Sequence, residues 1–158
     1  MNEQKRLSIA AVGLAAGIAI LGSPAFGQAG AKPPSQETNV EGVTAEIVEA
    51  VRKEGVLTLK VRYRNSGANA AKVKFKSLRD VDAYYVTVGS TKYLILKDNK
   101  GVPVGVATEH GSFQADLKPN ASYLFWAKYP APPAEAKKVN FYNPHTPPFE
   151  DIPITEAK

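Results

Sequence analysis

The side chains best suited to metal chemistry are two histidines and one neighbouring carboxylate. His110 directly follows Glu109, and His145 lies in a proline-rich stretch near the C-terminus. The chain has no cysteine, and its single methionine is Met1. A zinc or copper site built from nitrogen and sulfur ligands needs three or four donors. We therefore predict no metal site and expect both histidines to be exposed in loops, with a site that unites them with Glu109 as the alternative.

Nucleophilic and acid–base catalysis find little support in the sequence. No Gly-x-Ser-x-Gly motif is present, and Ser112 lacks the strand-to-helix turn that exposes a catalytic serine. Two carboxylate pairs are spaced for acid–base work, Asp80 with Asp82 and Glu150 with Asp151. Adjacent strand residues point to opposite faces, so the second pair is expected to diverge, and we interpret both pairs as solvated. We predict that the protein is not an enzyme and uses no cofactor.

Aromatic residues on one predicted strand are a candidate binding surface. Residues 122–129 alternate, so Leu124 and Trp126 point to one side of a strand and Tyr123 and Phe125 point to the other. A strand that is apolar on both faces is either central and buried or presents one face to a partner. Trp126, the only tryptophan, is expected in a core between two sheets. A sugar-stacking platform and a protein anchor are the alternatives.

A basic strand face is the second candidate surface. Lys60, Arg62 and Arg64 occupy the polar side of a strand whose other side is apolar. Tyr84 and Tyr85 are consecutive in a later strand, so one of them faces outward and is a candidate to join this basic face. The predicted binding residues are Trp126, Tyr84, Tyr85, Lys60, Arg62 and Arg64.

The elements that must position these residues are predicted to be short strands separated by Gly, Asn and Pro turns. The predicted strands span residues 43–51, 56–64, 71–76, 83–88, 92–96, 102–106, 122–129, 139–142 and 147–154. The first of them also contains good helix formers, but Gly55 and the strand that follows favour a hairpin there. Seven to nine strands of this kind are typical of an antiparallel sandwich or barrel.

The N-terminus has the pattern of a signal peptide. Lys5 and Arg6 precede an uncharged apolar run at residues 7–21, and a small–bulky–small triplet follows at residues 25–27. The run is shorter than the ~20 residues that span a bilayer. We therefore predict cleavage after Gly27, no membrane span in the product, and a periplasmic or secreted location. Without a cysteine, a lipid anchor on that residue is excluded.

The remaining chain is predicted to hold one domain. Residues 28–42 have few apolar side chains, which indicates a flexible linker, and residues 43–158 have the length of a single domain. The full chain carries 20 basic and 15 acidic residues, with the two signs interspersed. This balance favours a solvated surface with a mild attraction for anions and predicts no nucleic-acid partner.

Several turns resemble those of bacterial exported immunoglobulin-like domains. The resemblance rests on a charged strand that ends in Arg64-Asn65 before a Gly turn, the Leu-Lys-Asp-x-x-Gly turn at residues 96–101, the Leu-Lys-Pro-Asn-Ala-Ser corner at residues 117–122, and the tail at residues 129–154. It implies an immunoglobulin-like antiparallel β-sandwich of seven to nine strands. These families are envelope proteins of unknown function, so the resemblance implies a fold and a cellular setting without established catalytic residues.

These features lead to one functional hypothesis and two alternatives. The leading hypothesis is an exported, non-enzymatic envelope protein that binds one or more unidentified envelope proteins by sheet-edge pairing or through its aromatic and basic face. The second is a periplasmic small-ligand or glycan binder that uses Trp126 and nearby tyrosines. The third is an enzyme or metal carrier that uses His110 and His145.

Overall fold

The structure, a computed structural model, describes residues 33–80, 82–106 and 112–157. The predicted signal peptide at residues 1–27 and the first residues of the predicted linker lie outside this part of the chain. The described residues form strands and turns, which confirms the all-β prediction. Among them there is no helix of the length and apolarity that a membrane span requires.

Eleven strands account for the fold of the described residues. Gly55 and Gly101 have φ angles of 78° and 76° in two of the turns, a conformation that glycine adopts without a steric penalty. The strands are β1 (Ser35–Glu37), β2 (Val43–Lys53), β3 (Val56–Asn65), β4 (Ala71–Phe75), β5 (Tyr85–Val88), β6 (Thr91–Leu94), β7 (Phe113–Leu117), β8 (Ser122–Pro130), β9 (Lys138–Tyr142), β10 (Phe149–Pro153) and β11 (Thr155–Glu156).

Three sheets are arranged around one core. The first has the order β1-β2-β3-β8 with β11 parallel to β2, the second has the order β10-β9-β5-β6, and β4 pairs with β7 in the third. All other pairings are antiparallel. One cluster of buried apolar side chains draws on all three sheets, with Phe125, Phe141 and Phe75 as one member from each. A core shared in this way is consistent with a β-sandwich.

Strand β2 contains a β-bulge that changes which of its side chains face the core. Ile47 pairs with Val61 and Glu49 pairs with Lys60, so Val48 is an extra residue without a partner on β3. Before the bulge the odd-numbered residues of β2 are buried, and after it the even-numbered residues are buried. Strict two-residue alternation from the start of β2 therefore assigns the residues after the bulge to the wrong face.

The bulge turns Arg52 inward. Its guanidinium there makes hydrogen bonds that connect the end of β2 to residues 132–134 and to β11. Nη1 donates hydrogen bonds to the carbonyl oxygens of Pro132 and Pro133 at 3.0 and 2.6 Å, and Nη2 donates to the carbonyl oxygen of Ala134 at 3.1 Å. Nε and Nη2 also bind the Glu156 carboxylate in β11. Because Arg52 is only 7% exposed, these acceptors compensate for the loss of hydration that its charge would otherwise suffer.

Asn65 connects two of the turns on which the sequence resemblance rests. Its side-chain amide donates to the carbonyl oxygens of Asn69 and Leu117 at 2.8 and 2.9 Å, and its Oδ1 accepts a hydrogen bond from Gly67 N at 2.9 Å. Its own N–H donates to the carbonyl oxygen of Ala121 at 3.0 Å. Asn65 is fully buried, so one side chain positions the turn after β3 against the corner before β8.

Three segments differ from the sequence prediction. Part of the predicted linker forms β1, which pairs with residues 44–46 of β2, so the folded region extends back into that segment. Residues 102–106, a predicted strand, form only isolated bridges such as Gly105 with Ala127. Strand β7 is not predicted by the sequence pattern, although it pairs with β4 along its whole length.

A second irregularity, in β10, corrects the expectation for Glu150 and Asp151. The register shifts between Phe149 and Ile152, and Asp151 has a positive φ of 53°. Both carboxylate side chains are exposed, and Phe149 and Ile152 on either side of them are buried. The two acids therefore do not divide between the two faces as adjacent residues of a regular strand would.

We expect Arg52→Ala to lower the free energy of unfolding by about 3 kcal/mol, because the buried or partly buried carbonyl oxygens of residues 132–134 lose their donors. Urea unfolding followed by circular dichroism measures the change. Lys53→Ala, at the next and exposed residue of β2, is the matched control and should alter stability by less than about 0.5 kcal/mol. Equal stability of the two variants would show that Arg52 does not hold this end of the sheet.

Candidate functional site

The outward side of β2, β3 and β8 is the candidate site and is called the outer face below. Residues paired across neighbouring strands share one face of a sheet, so the register defines its rows. Its two central rows carry acids on β2, bases on β3 and apolar side chains on β8. From β2 to β8 the rows are Thr44, Arg64 and Ser122; Glu46, Arg62 and Leu124; Glu49, Lys60 and Trp126; and Val51, Thr58 and Lys128.

Leu124 and Trp126 form the apolar part of the outer face. They point outward because Phe125 and Ala127, the residues that alternate with them, are fully buried. Leu124 is 44% exposed, and Trp126 is half-buried. The predicted alternation of β8 is confirmed. The expectation of a core tryptophan is wrong, because Phe125 and Ala127 occupy the side that faces the core.

The three basic residues predicted to bind a partner lie side by side on β3 but differ in their contacts. Lys60 Nζ lies 2.6 Å from a carboxylate oxygen of Glu49, and Arg62 Nη1 lies 3.4 Å from one of Glu46. Arg64 is exposed and forms no ion pair with a carboxylate of the described residues. Exposed ion pairs contribute little to stability, but these two orient the central cations toward β2.

The two tyrosines predicted to bind a partner are not on the outer face. Tyr84 is fully buried, and its hydroxyl accepts a hydrogen bond from Lys76 N at 3.0 Å. Burial raises the pKa of this hydroxyl. Tyr85 points outward, as expected for one of two consecutive residues, but it belongs to the second sheet. The structure therefore does not bring either tyrosine to the basic residues of β3.

Tyr85 is also poorly placed to stack on a sugar. Its ring lies parallel to the ring of Tyr142, with centroids 4.6 Å apart and 9° between the planes, and Lys92 Nζ lies 3.9 Å from its centroid. These contacts occupy ring surface that a sugar would need. None of the aromatic contacts among the described residues involves Trp126.

His145 lies in the core, which corrects the expectation that it is exposed in a loop. It is 6% exposed, and its ring meets the rings of Phe75 and Tyr63 edge-on, with centroid distances of 5.0 and 6.0 Å. Its Nε2 has no hydrogen-bond partner among the described residues. Burial, followed by the nearby charge of Lys76, lowers the pKa of the imidazole. His145 therefore packs as a neutral aromatic side chain.

The metal-site alternative depends on His110 and Glu109, which lie outside the described residues. Within the part of the chain that the structure describes, no three His, Asp or Glu side chains are grouped to hold a metal ion. That the protein binds no metal stays a prediction.

Comparison with known proteins does not assign the chain to a family. No protein-family model matches it, and no curated protein or solved structure matches it either. The resemblance to exported immunoglobulin-like domains stays a prediction, so the function has to be inferred from the outer face.

Sequence reasoning missed two parts of the outer face. It did not assign Glu46 and Glu49 to the surface that carries the basic residues of β3, and for Glu49 strict alternation predicts the opposite side because it does not reveal the bulge. It also placed the wrong side of β8 in the core. The available signal was Lys128, which has the same strand parity as Leu124 and Trp126 and marks that side as solvated.

Acid is expected to destabilise the fold through His145. The pKa of this histidine is lowered in the folded protein, whereas it is about 6.5 in an unfolded chain. The unfolded state then binds more protons, so the stability that neutral His145 supplies is complete above about pH 6.5. It is lost as the pH falls, with a slope of at most about 1.4 kcal/mol per pH unit.

Urea unfolding at several values between about pH 7 and pH 5 measures this slope. His145→Phe keeps an aromatic ring that does not titrate, so its stability should depend less on pH over the same interval. If the variant retained the full wild-type slope, a group other than His145 would be responsible.

Proposed function

We propose that this protein is an exported, non-enzymatic interaction module of the cell envelope that binds a protein partner through the outer face. The exposure of Leu124 beside Trp126, on a face whose two central rows are otherwise charged, carries this proposal. A single exposed leucine is common on protein surfaces. An exposed leucine next to the only tryptophan, bordered by arginine and lysine, has the composition of an interface centre with a charged rim.

The arrangement of charge supports recognition more than stability. Lys60 and Arg62 are held by Glu49 and Glu46, which limits the side-chain freedom that these cations would lose on binding. Trp126 is half-buried in a strand, so its ring orientation is also restricted before a partner arrives. A partly preformed surface of this kind binds with a smaller entropic cost.

The proposal includes an immunoglobulin-like sandwich in the periplasm or outside the cell. Three sheets around a shared core support the sandwich. The basic residues and apolar run at the N-terminus support export. A fold without cysteine does not depend on disulfide formation, which many exported domains of this size use.

Glycan binding through Trp126 is the weaker candidate. It draws on the outward orientation of the tryptophan, which leaves part of the ring accessible. Sugar sites combine an open aromatic face with convergent polar groups, but the rows on either side of Trp126 end in the apolar Leu124 and the cationic Lys128. This environment fits a protein surface better than a sugar.

Site-specific photo-cross-linking in cells tests the interaction proposal. A photoreactive residue at position 124 is expected to capture one protein reproducibly, whereas the same residue at position 94 is not. Leu94 is the matched control because it is 38% exposed and belongs to the second sheet.

The captured protein, once purified, should bind the wild type and should bind Leu124→Glu at least about tenfold more weakly, which corresponds to about 1.4 kcal/mol. Leu94→Glu should keep the wild-type affinity. Equal capture from both positions, or unchanged binding by Leu124→Glu, would contradict the proposal.

A further inference from the structure

We infer that the outer face binds an extended segment of its partner that is apolar in the centre and acidic at both ends. This inference rests on the proposed function and adds the chemistry of the partner to it. It is drawn from the spacing of the outward residues of β8 and from the distribution of charge around them.

The spacing along β8 favours an extended segment over a helix. Its outward residues, Ser122, Leu124, Trp126 and Lys128, follow one another at every second position, which is a repeat of about 6.6–6.8 Å. An extended chain laid along β8 has the same repeat, so each alternate side chain meets one of these residues. A helix has a pitch of about 5.4 Å and 3.6 residues per turn, so it would match only one or two of them.

The charges place the acids of such a segment at its ends. Arg64 is paired across the strands with Ser122, which is the first of the four outward residues along β8. Lys128 is the last of the four. No carboxylate of the described residues forms an ion pair with either cation. Six residue steps separate the two ends, a span of about 20 Å.

The centre of the face has a different character. Lys60 and Arg62 already have carboxylate partners on β2, so their attraction for a further anion is reduced. Leu124 and Trp126 lie beside them on β8 and provide apolar contact. The complementary segment therefore has carboxylates at its first and seventh positions and apolar side chains at its third and fifth.

The acids of the outer face favour a peptide over an anionic lipid surface. Glu46 and Glu49 lie on the same face as the cations, and a lipid surface would bring negative charge against both of them. A peptide can place its carboxylates only at Arg64 and Lys128. The rows that contain these two cations hold no glutamate or aspartate that would repel a carboxylate. Electrostatic complementarity of this kind selects a partner more than it strengthens binding.

The test uses a synthetic seven-residue peptide with glutamate at both ends, valine at the third and fifth positions, and serine elsewhere. Its matched control has glutamine at both ends.

Amide chemical shifts of the ¹⁵N-labelled protein are recorded during titration. The acidic peptide should shift resonances of β3 and β8 around Leu124 and Trp126, and the glutamine control should bind at least about fivefold more weakly. Added salt should weaken the binding of the acidic peptide.

Two variants locate the charge. Arg64→Gln should weaken binding of the acidic peptide about threefold to tenfold, and Lys128→Gln should have an effect in the same direction. Arg79→Gln removes an exposed cation outside the outer face and should leave the affinity unchanged. Equal affinity of both peptides, or no effect of Arg64→Gln, overturns the inference.

Failure of this inference is distinguishable from failure of the proposed function. If the protein captured from position 124 binds Arg64→Gln as well as it binds the wild type, the outer face is an interface but its partner segment is not acidic. If position 124 captures no protein, the proposed function itself fails. No resonance shift at millimolar peptide, together with binding to anionic vesicles that Leu124→Glu abolishes, would assign the face to lipid and overturn the inference.

Discussion

The extra residue at Val48 determines which side chains in the second half of β2 face the core and which face solvent. Under strict alternation, Glu49 would point into the core and Arg52 would point outward. With the bulge, Glu49 reaches Lys60 on the outer face, and Arg52 reaches the carbonyl oxygens of residues 132–134. A carboxylate turned into the core would carry a large desolvation cost. The position of Glu49 on the outer face and the contacts of Arg52 at the end of β2 both depend on this one residue.

Strand β8 shows how the core and the outer face constrain each other. Phe125 packs against Tyr84 and Phe141, with ring centroids 4.9 and 6.4 Å apart, and this packing fixes the orientation of the strand. Leu124 and Trp126 must then point outward, although this exposes apolar surface to water. The same aromatic packing that stabilises the core therefore presents the apolar part of the candidate interface.

The sequence predicts a strand well where polar and apolar residues alternate, so that one side of the strand faces solvent. It fails where the conformation depends on a neighbouring strand or on a close contact. The strand predicted at residues 56–64 agrees with β3 to within one residue, because its basic and apolar sides are distinct. Residues 102–106 look like a strand from their valines, yet Pro103 lacks a donor, and a Cβ at Gly105 would lie 2.8 Å from the carbonyl oxygen of Trp126. The proline is visible in the sequence, but the close approach at Gly105 is not visible until β8 is in place. The basic half of the candidate site was predictable for the same reason as β3, whereas the position of Glu49 in its acidic half depended on the bulge.

The edge of β2 opposite β3 is covered by the first and last strands of the described fold. β1 pairs with residues 44–46 and β11 pairs with residues 51–52, so only a short, irregular stretch around the bulge lies between them. A long regular edge would be a template on which a second molecule could add a strand and begin an aggregate. Because β11 supplies part of this cover, detachment of β11 would expose residues 51–52 of β2 to such growth. Arg52 contributes to this cover, because its guanidinium binds the Glu156 carboxylate and holds β11 against β2.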